Sequence, residues 1–206
     1  MPVDSYSELN EFHKDALQEL GNIGTGNAIT ALSQLTQKDI EMHLPHIRIV
    51  NYRDLPALLG SKCPIYVGVV LLVEGDLECV ITFMLNQNFA EIMLKNLLEE
   101  DSVDVVNMDE LAQSAICEVG NVMCNSYLNA LAVMADVKMD VSIPFMRVDT
   151  AEGVLDTFVR KYLDKTEELL FIENTFYYEE QEMISHILLH PKFAALQKIL
   201  ERIGAE

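Results

Sequence analysis

Two polar triplets of identical spacing are the residues of this 206-residue chain most able to bind or position a polar group. Each has an acid or a hydroxyl, a glutamate four residues later and an asparagine three residues after that: Asp15, Glu19 and Asn22, and Ser114, Glu118 and Asn121. A proline follows each asparagine after 22 intervening residues, at Pro45 and Pro144. A shift of 99 residues superposes the two copies, an internal repeat far too long for a solenoid. The pattern predicts two similar halves with one polar site each.

The spacing within each triplet places its three side chains on one face of a helix. An α-helix advances by about 100° per residue, so Glu19 lies at about +40° and Asn22 at about −20° from Asp15. A solvated helix face explains one such copy, but asparagine is a mediocre residue inside a helix and occurs there twice. Gly21 and Gly120, which precede the two asparagines, each lower helix stability by roughly 0.5–1 kcal/mol relative to alanine. The recurrence of both features predicts a functional face and the close approach of another group.

Other chemistries fit these residues less well. The glycines of the first triplet have the spacing GxxGxG without a preceding strand, so Gly24 and Gly26 are interpreted as helix-packing positions and not as a phosphate loop. His186 and His190 lie four residues apart on a predicted strand without a third ligand, which does not favour a metal site. Ser114 has no histidine at helical spacing to activate it as a nucleophile. The sequence therefore predicts no bound metal.

Two long helices must position the triplets, and the hydrophobic periodicity predicts them over residues 7–34 and 109–134. In each half the long helix is followed by two short strands interrupted by the proline, a short helix, a hairpin and a closing helix. The hairpins are predicted over residues 65–85 and 169–189, and the last helix is expected to open at residue 192.

This order of elements predicts the fold class. The sequence α-β-β-α-β-β-α favours an α/β chain, α+β-like, with a mostly antiparallel sheet packed with two long helices, and not the alternating βαβ order of nucleotide-binding folds. Neither half has enough strands for a good sheet alone. Residues 1–206 are therefore predicted to form a single domain made of two pseudo-twofold repeats, about 7–100 and 107–204.

Composition limits the class of partner. Half of the residues are hydrophobic and 23% are charged, which is typical of a globular chain. The formal net charge of −19 disfavours nucleic acid and anionic lipid surfaces and favours a partner with a basic surface. No signal peptide is predicted, since the N-terminus has neither a basic start nor an apolar run. No spanning helix is predicted, since no segment approaches ~20 apolar residues. The four cysteines form no CxxC pair, so reduced thiols in a cytoplasmic protein are expected.

The repeated pattern Asp/Ser-x3-Glu-x2-Asn-x22-Pro resembles that of a known family. It is similar to the CheC branch of the CheC/CheX/FliY phosphatases of bacterial chemotaxis. Segments 21–28, GNIGTGNA, and 74–77, EGDL, agree locally with that family. The resemblance covers essentially the whole chain and implies a CheC-like fold. CheX-type members carry one motif, and FliY-type members add a flagellar-switch domain.

The resemblance implies hydrolysis of the aspartyl phosphate on the response regulator CheY. An acyl phosphate is already activated, so the enzyme needs mainly a water held in line, which a carboxamide can orient. Asn22 and Asn121 would position this water, and Glu19 and Glu118 would dock to a lysine of the regulator. The remaining motif residues would support the site: Asp15, Ser114, Pro45 and Pro144.

The resemblance also implies partners and a rival function. Mg²⁺ would arrive with the phosphorylated regulator and not be bound by this chain, and the receptor deamidase CheD would be a second partner. The alternative from a different class is a non-catalytic adaptor that uses the same helix faces to bind CheY or CheD. Retention of both asparagines favours the enzyme.

Overall fold

The two triplets lie on two helices of equal length in the computed structural model, which describes residues 11–59, 65–162 and 168–192. The helices are α1 (Glu11–Thr36), α2 (Leu55–Leu59), α3 (Gln87–Leu98), α4 (Glu110–Ala135) and α5 (Ala151–Tyr162), with a 3-10 turn at Tyr52–Asp54. The strands are β1 (Glu41–Met42), β2 (His46–Asn51), β3 (Tyr66–Gly75), β4 (Cys79–Asn86), β5 (Met139–Val141), β6 (Phe145–Asp149), β7 (Glu168–Tyr178) and β8 (Gln181–Pro191). The helix expected to open at residue 192 lies outside the described residues.

Local sequence accounts for the ends of α4. The Asp109 carboxylate accepts a hydrogen bond of 2.8 Å from the backbone N–H of Ala112, which satisfies one of the free donors of the first turn. The helix stops at Asp136, whose left-handed φ of 46° turns the chain so that the N–H of Val137 donates to the Ala132 carbonyl at 3.1 Å. The helix predicted over 109–134 is thus confirmed to within one residue. The predicted start of α1 at residue 7 lies outside the described residues.

Eight strands of the described residues form one antiparallel sheet in the order β1-β7-β8-β4-β3-β5, with β2 also paired to β7 and β6 to β3. The two halves exchange their short strands. First-half β2 pairs with second-half β7, with His46 opposite Glu173, and second-half β6 pairs with first-half β3, with Phe145 opposite Val70. Each exchange covers a hairpin edge that would otherwise expose unpaired backbone groups. The predicted fold class is confirmed.

Helices cover both faces of this sheet. Successive side chains on a strand point to opposite faces, and those of β3 and β4 divide accordingly between two apolar clusters. Val67, Val69 and Phe83 pack in the larger cluster with α1, α3 and α4. Tyr66 and Met84 pack in the smaller one with α2 and α5. Because both faces of the sheet are buried, the sequences of β3 and β4 are nearly continuous runs of apolar residues.

The long helices α1 and α4 pack against each other above the sheet. Each presents one side to the core and the opposite side to solvent, as an amphipathic helix does. This arrangement sets the position of the polar triplets. Within the described residues no helix is long and apolar enough to cross a bilayer.

Candidate functional site

Both triplets lie on the solvent side of their helices. In α1, Asp15 and Glu19 are exposed and Asn22 is half-buried, and the second copy in α4 shows the same gradation. Ser114 and Glu118 are exposed, and the asparagine that follows them is half-buried. The structure therefore brings each triplet together as one polar stripe, with neither asparagine in the apolar core.

The amide of Asn22 is held by a neighbouring carboxamide. Gln18, one helical turn earlier, donates from Nε2 to Asn22 Oδ1 at 3.2 Å and makes a longer contact of 3.4 Å with the Pro45 carbonyl oxygen. Pro45 is buried beside α1, so its carbonyl is fixed relative to the helix. The motif proline thus connects to the asparagine through Gln18.

The amide of Asn121 is held from the opposite direction along its helix. Asn125, one turn later, donates from Nδ2 to Asn121 Oδ1 at 2.8 Å and also to the Asn121 backbone carbonyl at 2.8 Å. By the 99-residue shift Asn125 corresponds to Gly26, and Cys117 corresponds to Gln18. Each site therefore has one supporting carboxamide, and the two sites use different ones.

This arrangement fixes what each asparagine can offer a partner. An amide oxygen has two lone pairs, and the supporting donor occupies one of them. Among the described residues no hydrogen bond uses the second lone pair or the two N–H donors of Nδ2, so a water or a phosphoryl oxygen can take them. Sequence reasoning missed both supporting residues, although the signal was present: Gln18 and Asn125 lie four residues from their asparagines, the spacing that lets helix side chains meet.

The glycines before the asparagines permit close packing, as predicted. A Cβ at Gly21 would lie 1.8 Å from Ile47 Cδ1, and one at Gly120 would lie 2.4 Å from Val69 Cβ. The first contact brings α1 onto β2 and the second brings α4 onto β3. The group whose close approach was expected is thus the neighbouring strand.

The glycines after the first asparagine have separate roles. A Cβ at Gly24 would lie 2.4 Å from the Tyr127 ring on α4, so its assignment to helix packing is confirmed. No atom of the described residues lies within 4 Å of the Cβ position of Gly26, so the same assignment is wrong there. Beside Gly24, Thr25 Oγ1 and the Tyr127 hydroxyl are 2.5 Å apart, and both reach Asn174 Oδ1 on β7. This buried network fixes the two site helices to each other and to the sheet.

A polar cavity of about 320 Å³ adjoins the first triplet and is lined in part by Gln18, His46, Arg48 and Glu173. The His186 side chain, 3.6 Å from the Glu173 carboxylate, holds the pKa of that carboxyl below its ordinary value, and the Arg48 charge adds to this effect. Glu173 is therefore ionised at neutral pH, with basic groups beside it.

The second triplet has different surroundings. Phe145 takes the place of His46 under the 99-residue shift, and Val70 lies opposite it where Glu173 lies opposite His46. A histidine–glutamate pair near the first triplet is thus replaced by an apolar pair near the second, whereas Arg48 keeps a basic counterpart in Arg147.

Metal-binding groups do not come together in the part of the chain that the structure describes, where no three His, Cys, Asp or Glu side chains converge. His186 and His190 both lie on β8, as predicted, and are buried. Four residues of strand separate them by about 13 Å, too far for two ligands of one ion.

Comparisons with known proteins agree with this geometry. A model of the CheC-like family matches residues 12–47 and 111–146, the two segments that each hold one triplet and its proline. The chain is 25% identical over 204 residues to the CheY-P phosphatase CheC of Bacillus subtilis (strain 168), covering 97% of this chain and 98% of that protein.

Solved structures share the fold. Thermotoga maritima FliY matches with a TM-score of 0.77 and 19% identity, over 96% of this chain and 98% of that one. A chain of the CheX-CheY-BeF3-Mg²⁺ complex from Borrelia burgdorferi matches with a TM-score of 0.51 and 17% identity, over 82% of this chain and 95% of that one. By its two family segments, its full-length sequence similarity and its fold, the chain is a CheC-type member of the CheC/CheX/FliY family.

Proposed function

We propose that this chain hydrolyses the aspartyl phosphate of a CheY-type response regulator. The observation that carries the proposal is the duplicated arrangement of a half-buried asparagine, oriented by a second carboxamide, on an exposed acidic stripe. The names of the relatives support it, since the B. subtilis protein is a CheY-P phosphatase and the B. burgdorferi structure contains CheY bound with CheX.

The reaction needs little from the protein beyond positioning. A water attacks phosphorus in line with the bond from phosphorus to the aspartate oxygen, that bond breaks, and inorganic phosphate and a free carboxylate leave. Asn22 or Asn121 holds the water through the unoccupied half of its amide. Glu19 or Glu118, one turn earlier on the same stripe, meets a basic group of the regulator. Asp15 and Ser114 extend this surface.

Mg²⁺ enters with the regulator in this proposal, and Mg²⁺ is part of the B. burgdorferi complex of CheX with CheY. The acidic chain favours encounter with a basic patch on the regulator because opposite charges steer association. CheD, the second partner that the resemblance implies, stays a prediction. A binding measurement with purified CheD tests it.

The test is phosphate release from phosphorylated CheY by a variant that carries both Asn22→Ala and Asn121→Ala. Both side chains are partly exposed, so their truncation should change stability little. We expect turnover to fall on the order of 10²-fold, as when an oriented polar group is removed from a transition state. The matched control carries Asn27→Ala and Asn129→Ala, which remove exposed asparagines of the same two helices outside the triplets.

Each outcome has a distinct meaning. Each single variant should keep part of the activity, since the two sites lie on separate helices and share no partner group. Normal turnover by the double variant would refute the water-positioning role. If the unmodified chain binds CheY loaded with beryllofluoride but never accelerates phosphate release, the adaptor function is correct instead.

A further inference from the structure

Each polar stripe has exposed apolar neighbours that repeat with it. Phe12 and Leu111 are 53% and 64% exposed, and Leu44 and Ile143 are 75% and 78% exposed. The 99-residue shift that superposes the triplets also superposes Phe12 on Leu111 and Leu44 on Ile143. Single exposed apolar residues are ordinary on protein surfaces. Here exposed apolar residues recur at the same two positions of both halves, which indicates a shared role.

In the first half the two members of the pair lie on opposite sides of the stripe. On α1, Phe12 is about +60° from Asp15 and Gln18 about −60°, and Gln18 contacts the carbonyl of the proline that follows Leu44. Leu44 is therefore on the Gln18 side and Phe12 on the other. We call Phe12 with Leu44, and Leu111 with Ile143, the flanking pairs.

The loops that carry one member of each pair are held by matching backbone hydrogen bonds. The N–H of His43 donates to the Thr175 carbonyl on β7 at 3.0 Å, and the N–H of Ser142 donates to the Leu72 carbonyl on β3 at 2.9 Å. His43 and Ser142 are also related by the 99-residue shift. The apolar side chain that follows each of them thus projects from a fixed backbone, which lowers the entropy lost when it is covered by a partner.

We propose that the flanking pairs are apolar anchors that close around the phosphorylated regulator at each site, a proposal that rests on the phosphatase function above. A regulator whose phosphoaspartate meets the asparagine must cover both sides of the stripe, because the stripe is only about 60° of the helix surface wide. Covering the pairs buries apolar area and excludes bulk water from the reacting phosphate, which strengthens the polar contacts inside.

A second copy of this chain fits these surfaces poorly. Two copies meeting stripe to stripe would place carboxylates such as Glu19 against carboxylates, and the net charge of −19 adds to that repulsion. A chain with two related self-complementary surfaces would also grow into an open polymer unless the geometry happened to close. A regulator with a basic surface complements the acidic stripe in charge, and it can cover the apolar flanking pairs on its two sides.

The experiment isolates the first site in a background that carries Glu118→Ala and Asn121→Ala, which removes the docking carboxylate and the water-holding amide of the second site. Phe12→Ser and Leu44→Ser are each expected to raise the KM for phosphorylated CheY and the Kd for beryllofluoride-loaded CheY about 10-fold, the loss of one buried leucine-sized contact. The kcat at saturation should stay within about twofold, because the asparagine is untouched. Leu44→Met, which keeps the apolar contact, should behave as the parent does.

The matched control is Val133→Ser, which is compared with Ile143→Ser at the second site in a background that carries Glu19→Ala and Asn22→Ala. Val133 is 82% exposed on α4 but lies about 18 Å along the helix from Asn121. If Ile143→Ser and Val133→Ser give the same KM and Kd while turnover persists, the flanking-pair proposal is overturned and the phosphatase function stands. If the parent releases no phosphate, the function fails, and the Kd for the beryllofluoride form alone then decides whether the pairs anchor the regulator. Self-association that Leu44→Ser abolishes, with regulator affinity unchanged, would also overturn the proposal.

Discussion

Gln18→Ala and Asn125→Ala should each weaken one of the two proposed catalytic sites and leave the other unchanged. Gln18 donates to Asn22 Oδ1, and Asn125 donates to Asn121 Oδ1, so each substitution frees the amide of one asparagine only. A neutral hydrogen bond contributes about 0.5–1.5 kcal/mol, which corresponds to about 2- to 12-fold in rate.

The two distances order the expected effects. The Gln18 bond of 3.2 Å is at the long end of the ordinary range, so its loss should lower kcat about 2-fold. The Asn125 bond of 2.8 Å is short, and the same Nδ2 also holds the backbone carbonyl of Asn121, so its loss should lower kcat about 10-fold.

The assay is steady-state phosphate release in crossed backgrounds. Gln18→Ala is measured in Asn121→Ala, where it should act, and in Asn22→Ala, where it should not; Asn125→Ala is measured in the same two proteins with the reverse expectation. Thermal unfolding of each variant checks that the fold is intact. The isosteric Gln18→Glu keeps the shape but removes the donor, so it should lower kcat at least as much as the alanine does. An equal effect of Gln18→Ala in both backgrounds would refute the reasoning.

Three further predictions follow from packing, titration and charge. In urea unfolding, Gly120→Ala should destabilise the protein by about 1–2 kcal/mol, because its Cβ would overlap the Cβ of the fully buried Val69. Gly26→Ala should instead stabilise the protein by about 0.5–1 kcal/mol, because no described atom lies near its Cβ position. Burial raises the pKa of Tyr127 in the folded protein, whereas a tyrosine of the unfolded chain ionises at about pH 10. Above that pH the unfolded chain loses this proton and the folded protein keeps it. The free energy of unfolding should therefore fall by about 1.4 kcal/mol per pH unit. Replacing Tyr127 by phenylalanine should reduce that slope in alkaline unfolding curves, and an unchanged slope would refute its part in it. The second site has Ser114 where the first has the carboxylate of Asp15, so the activity of the second site should fall less as ionic strength rises. The measurement is phosphate release against ionic strength in the single variants Asn22→Ala and Asn121→Ala. An equal salt dependence in the two variants would argue against docking through the Asp15 charge.

The sequence by itself determined the features that depend on neighbouring residues along the chain. The hydrophobic periodicity predicted α4 to within one residue of its ends, and local hydrogen bonds such as that of the Asp109 cap set those ends. The spacing of each triplet required its three side chains to share one helix face, whatever the helix packed against. The turn at 179–180 was also local, and both residues there adopt a positive φ that joins β7 to β8.

Tertiary structure decided which side of each element meets another, since those contacts join residues far apart in sequence. The halves exchange β2 and β6, a pairing that no local pattern specifies. Gly21 and Gly26 look alike in the sequence, yet only the first lies against a strand. Likewise, the spacing of four residues puts Gln18 within reach of Asn22, but the carbonyl of Pro45, 27 residues further along the chain, holds Gln18 in that position. Local sequence patterns thus identified the candidate residues. Long-range packing set the orientation of their side chains, because that orientation depends on the neighbours that the fold brings into contact.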